Sequence, residues 1–152
     1  MADPLSLTAT VITVLATGTA CAKTLLSIIQ DTRDAPVELM NLSNEVINLN
    51  AIIDEARKVC ESLATDGSST AHFIETLERQ LKEAEDVLGA LNGLVSKWKL
   101  SVGTLDQSVL WLCRKTRVKK CLVRLRDIRT NIAALFASQT VLVLLKVTFN
   151  VT

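Results

Sequence analysis

The sequence predicts an all-α protein, a bundle of four to five long, mostly antiparallel helices led by an apolar N-terminal helix. Three observations carry that prediction. Three separate stretches space their apolar residues alternately by three and four, the period at which one side of an α-helix returns to the same neighbour. The 152 residues are dominated by Leu, Ala, Val, Ile, Thr and the charged types, with few aromatics and no Tyr, a composition typical of helical bundles. Finally, an uncharged opening run precedes chain that reads as soluble amphipathic helix.

Residues 5–22 contain no charged side chain, and between Pro4 and Gln30 only Lys23 interrupts the apolar and small residues. About 20 such residues form a helix roughly 30 Å long, enough to cross the hydrocarbon core of a bilayer. Threonines at 8, 10, 13, 17, 19 and 24, together with several alanines, dilute this run. The plainest expectation is therefore the central helix of a soluble bundle, buried on all sides. A secretory signal lacks its positive leading region here, since Asp3 is the only charge before the run, although Ala20-Cys21-Ala22 loosely resembles a cleavage site. A constitutive anchor lacks the flanking Lys/Arg cluster that would orient it. If the helix enters lipid, the residues that enter are Leu5, Leu7, Val11, Ile12, Val14, Leu15, Gly18, Leu25, Leu26, Ile28 and Ile29.

Residues 30–36 form the first break, with Asp34 placed to cap a new helix and Pro36 in its first turn. The second helix has the seam Leu39, Leu42, Val46, Leu49, Ile53, Ala56, Cys60 and Leu63, and Gly67 with Ser68 or Ser69 marks its end and the next start. The third repeats the pattern with Ile74, Leu77, Leu81, Ala84, Leu88, Leu91, Val95 and Trp98, and its short polar link to the second predicts an antiparallel hairpin between the two. Gly89 and Gly93, four apart on this helix, read as a place where another helix approaches closely. A turn-rich connection at 101–108 and a short apolar piece at 109–113 lead to a last helix whose seam is Val118, Cys121, Leu125, Ile128, Ile132 and Leu135. Residues 141–152 are β-branched and almost uncharged, and either extend this helix or form an apolar tail.

The net charge of +1 conceals two opposed blocks: thirteen acids against five bases over residues 31–86, and ten bases against two acids over residues 97–129. Packing the basic helix beside the acidic ones neutralises both blocks internally, and that is the expected arrangement. The other role for the bases is attraction to anionic lipid, for which Arg117, Lys120 and Arg124 form one stripe. Nucleic-acid recognition lacks interleaved aromatics and any reading motif. The single histidine, His72, has no nucleophile at a suggestive spacing, and metal-ligand and phosphate-loop patterns are missing, so the chain reads as a non-enzyme without a cofactor. Cys21, Cys60, Cys113 and Cys121 lie scattered in apolar stretches and read as small buried hydrophobes of a reducing, cytoplasmic compartment.

The opening Met1-Ala2-Asp3-Pro4-Leu5-Ser6, the apolar first helix, the joint at 31–36, and Trp111 followed by a basic helix containing Val123-Arg124-Leu125-Arg126 resemble one family. It is the HeLo-like N-terminal domain of fungal STAND, or NLR-type, receptors and related cell-death proteins. The resemblance spans residues 1–140 and leaves 141–152 as a tail that departs from the family pattern. It implies a bundle that self-associates when an upstream NLR-type receptor or amyloid-signalling protein activates it. The first helix is then delivered from the cytoplasm to membrane lipid. An adaptor bundle that only mediates homotypic or heterotypic association is the alternative.

Overall fold

The computed structural model of the chain describes residues 4–31, 36–66, 71–101 and 107–150, and every described residue except Pro36 is helical. Four helices follow in order: α1 Pro4–Asp31, α2 Val37–Asp66, α3 Ala71–Ser101 and α4 Gln107–Asn150. The all-α class and the apolar N-terminal helix expected from the sequence are the fold observed. Pro36 caps α2, its carbonyl accepting the N–H of Leu39 at 3.0 Å and of Met40 at 3.3 Å. It thus stands one position ahead of the first turn, where its missing N–H costs nothing. Asp34, Gly67, Ser68 and Ser69 lie outside the described residues.

The apolar piece at 109–113 and the last predicted helix are one element of 44 residues, and the segment 141–150 continues it. No Gly or Pro occurs anywhere in α4 to stop it. Its late threonines bond back to their own helix, Thr140 Oγ1 donating to the Phe136 carbonyl at 3.0 Å and Thr148 Oγ1 to that of Leu144 at 2.8 Å.

The predicted seams form the core. In α2 every seam residue from Leu39 to Cys60 is buried, in α3 every one from Ile74 to Trp98, and in α4 Val118, Leu125, Ile128 and Ile132, with Cys121 and Leu135 half-buried. The α1 seam is Leu7, Val11, Val14, Gly18, Cys21, Leu25 and Ile28, again alternating four and three. All but Gly18 join one continuous apolar cluster. Fully burying one such aliphatic side chain contributes about 1.5–3 kcal/mol, so these seams supply most of the drive to collapse.

Which helices touch is a separate matter. α1 packs on α2 and α3, α4 packs on α2 and α3, and among the described residues α2 and α3 come nowhere within 8 Å, Cα to Cα. Around the bundle the order is therefore α1, α2, α4, α3, and the hairpin expected between α2 and α3 is replaced by a diagonal. Charge accounts for the difference. Side by side, the acid-rich α2 would meet the acidic first half of α3, five acids against two bases over residues 71–86; separated, each faces the basic α4. Glu45 of α2, only 6% exposed, takes Arg129 and Arg126 of α4, the latter at 3.5 Å. Glu83 of α3 takes Arg124 Nε at 3.2 Å. α1 runs antiparallel to α2, with Gly18 facing Asn50, and α3 antiparallel to α4, with Leu94 meeting Arg114 and Phe73 meeting Phe136. The diagonal order therefore sets α2 beside α4, and α1 beside α3, as parallel neighbours, which corrects the expectation of mostly antiparallel packing. Since Phe73 is the third residue of α3, α4 beyond Phe136 runs past the start of α3, and Leu144, Leu145 and Phe149 there are exposed.

Two substitutions test this account in chemical denaturation followed by circular dichroism. Leu81→Ala, at a fully buried position, is expected to cost about 2–5 kcal/mol. Glu45→Gln removes the buried charge from two arginines that solvent still reaches, and is expected to cost about 1–2 kcal/mol, less than a fully desolvated pair.

Candidate functional site

Two features of the surface are candidates for function: the outer face of α1 and a cationic groove between α3 and α4. Leu5–Asp31 is long and apolar enough to cross a membrane; its most apolar 18-residue stretch has a mean hydropathy of 1.6, yet only 33% of that stretch is buried. This corrects the expectation of a central helix enclosed on all sides. A four-helix bundle has corners and no centre, so a helix touching two neighbours buries one stripe and leaves the rest to solvent. Of the residues singled out for membrane entry, Leu7, Val11, Val14, Gly18, Leu25 and Ile28 point into the bundle, and Leu15 and Ile29 are half-buried. Leu5, Ile12 and Leu26 are 76%, 55% and 44% exposed, on a face continued by Ala9, Thr13, Ala16 and Ala20.

The threonines of α1 cost this face little. Thr10, Thr13, Thr17 and Thr24 donate to the carbonyls of Ser6, Ala9, Thr13 and Ala20 at 3.0–3.2 Å, each one turn back, so their hydroxyl protons are satisfied without water. The seat beneath is less well matched. A Cβ added at Gly18 would lie 2.0 Å from Asn50 Oδ1, so glycine is what lets α2 approach here. Asn50 Oδ1 and Ser43 Oγ, seven residues apart on one side of α2, are buried and find no hydrogen-bond partner among the described residues. A buried polar atom left unpaired costs about 1–3 kcal/mol, which lowers the grip of α2 on what covers it.

The basic block divides in two. Arg124, Arg126 and Arg129 are spent on Glu83 and Glu45, and the hydrogen bond to Glu83 holds the Arg124 guanidinium still more firmly protonated. Arg124, of the stripe expected to meet anionic lipid, is thus paired with Glu83 while still 49% exposed. Arg117 and Lys120 make no ion pair among the described residues; with Lys97 and Arg114 they line a groove of about 440 Å³ whose floor is Gly89, Ala90, Gly93 and Leu94. Arg114 spans it, donating to the Leu94 carbonyl at 3.5 Å. Here too the sequence expectation is corrected: a Cβ at Gly89 or Gly93 meets nothing within 4 Å, so these glycines admit no neighbouring helix and instead leave a trough. Sequence reasoning saw the glycines and the bases but did not join them. The one available signal was Lys97 standing one turn beyond Gly93 on the same side of α3.

Along α4 the 27 residues between Arg117 and Leu144 span about 40 Å, so this helix has a cationic end beside the groove and an exposed apolar end. Burial pushes the Cys21 thiol up to about 12, with Cys121 adding to the effect, and the Cys60 thiol up to about 11; Cys121 is raised by burial against the opposing pull of Arg124. Cys21 and Cys121 sit on helices that do not touch, which rules out a bridge between them. Cys113 and Trp111 have side chains outside the described set. No protein-family model, no curated protein and no solved structure matches this chain.

Gly89→Ala and Gly93→Ala are each expected to stabilise the bundle by about 0.5–1 kcal/mol, because a methyl group in open space restores helix propensity without a clash. Gly18→Leu should do the opposite and loosen α1. The readout is Cys21: buried and protonated, it should resist iodoacetamide at pH 8 in the native chain and react much faster in the Gly18→Leu variant.

Proposed function

We propose that this chain is a membrane-targeting effector domain of regulated cell death, cytoplasmic at rest, that self-associates on activation and delivers α1 to a membrane. The observation that carries this reading is the outer face of α1. A soluble bundle helix ordinarily turns charges to water, whereas this one turns Leu5, Ile12, Ala16 and Ala20, and no charged residue occurs over 5–22. Its self-bonded threonines support entry into lipid, where an unpaired hydroxyl would be expensive. Its imperfect seat over Asn50 supports release, because burial and insertion then differ by less. The likeness of its opening residues to HeLo-like domains supports the same reading, and the upstream partner proposed with it is an NLR-type receptor or an amyloid-signalling protein.

A second reading, an adaptor bundle for homotypic or heterotypic association, is favoured by the exposed Leu144, Leu145 and Phe149 on the overhanging end of α4. In that case α1 stays docked. The two part at Ala16, which is exposed in the bundle and near the middle of α1. Ala16→Asp is expected to cost the folded bundle only about 0.7 kcal/mol in helix propensity, but about 2.5–3.5 kcal/mol at the centre of a spanning helix. Dye release from protein-free vesicles by the purified chain should therefore fall at least about tenfold while the thermal midpoint hardly moves. Unchanged leakage, or none from the parent chain under conditions where it self-associates, favours the adaptor.

A further inference from the structure

The groove between α3 and α4 is independent of α1, and we infer that it is a binding site for a single-chain lipid with a phosphate monoester head, of the lysophosphatidate type. Two parts of its lining match the two parts of such a molecule. Lys97, Arg114, Arg117 and Lys120 converge on it from two helices, and among the described residues none that lines it is acidic. A phosphate monoester carries about −1.5 to −2 charges with three acceptor oxygens, and so engages several cations where a carboxylate engages fewer. Beside these cations lies a trough without side-chain polarity: Gly89, Ala90, Gly93 and Leu94, running along about 12 Å of helix axis up to Lys97.

The glycines are what make this a site and not a charged surface alone. Both are exposed, both are in regular helix, and a Cβ on either would meet nothing. Neither backbone conformation nor packing asks for glycine there, although each weakens α3. What their missing side chains do is deepen the trough beside the cations, to a groove of about 440 Å³. Arg114, drawn across to the Leu94 carbonyl, closes one stretch of it and presents its remaining N–H groups for an anion. The bases a turn or two further along α4, Arg124 and Arg126, are held by Glu83 and Glu45, which leaves the groove as the place where cationic charge from α3 and α4 meets apolar floor.

Isothermal titration of the full chain with lauroyl lysophosphatidate, below its micelle concentration, tests the inference. Saturable one-to-one binding is expected, with glycerophosphate, which has the head and no chain, and laurate, which has the chain and a carboxylate, each weaker by about tenfold or more. Gly93→Leu fills the trough with a good helix former and should abolish binding while far-UV circular dichroism is kept; Gly89→Leu is the second such variant. Arg117→Gln with Lys120→Gln should weaken binding at least about tenfold. The inference is overturned if the parent chain shows no saturable binding, if glycerophosphate or laurate binds as well as the lipid, or if both folded leucine variants bind like the parent. Vesicle leakage by the Gly93→Leu variant separates this site from the role of α1: it should equal that of the parent chain, and a loss in parallel with lysophosphatidate binding would overturn the independence of the two.

Discussion

α4 must lie between α2 and α3, and the rest of the bundle follows from that constraint. The apolar seams supply the larger free energy, each buried aliphatic residue contributing about 1.5–3 kcal/mol, whereas an exposed ion pair contributes about 0–1 kcal/mol. Yet the seams are alike in all four helices and would tolerate more than one order around the core. Charge breaks the tie. With acids on both α2 and α3 and bases on α4, the diagonal arrangement turns a repulsion into the pairs Arg124 with Glu83 and Arg126 and Arg129 with Glu45. A weak interaction thus selects among arrangements that a strong one leaves nearly equal.

The same arrangement decides how α1 is presented. As the corner opposite α4, α1 touches only α2 and α3, and it has no charge of its own with which to pair before Lys23. It is held chiefly by its apolar stripe, over a seat that includes Asn50 Oδ1, unpaired among the described residues. The most apolar of the four helices is thereby one seated mainly by apolar contact. That combination is what a releasable element requires, since a ligand or membrane can shift an equilibrium only by the difference in its affinity for the two states.

It also decides where the bases end up. Had the blocks neutralised each other completely, α4 would carry no free cationic surface. Instead, among the described residues, the ion pairs between helices take Arg124, Arg126 and Arg129, while Arg117 and Lys120 nearer the start of α4 line the glycine trough of α3. The cationic and apolar ends of α4, about 40 Å apart, are two consequences of one register between α3 and α4.

Periodicity alone determined the helices and their buried stripes: the spacing of three and four that selects Leu49, Ile53, Leu77, Leu81, Leu88, Leu125, Ile128 and Ile132 is a property of neighbouring residues, and all eight are buried. The uncharged run of α1 was equally plain, because it is contiguous. Other properties are relations between helices, and no local pattern encodes them. That α2 and α3 are diagonal, that α1 is a corner and shows an apolar face, that Gly89 and Gly93 open a trough where Gly18 permits a close approach, and that Arg124 is paired while Arg117 is not, all depend on what stands opposite each residue. Glu45 illustrates the limit. In sequence it is one acid among thirteen in its block, and only the arrival of Arg126 and Arg129 from α4, some eighty residues away, makes it a buried charge that the fold can tolerate.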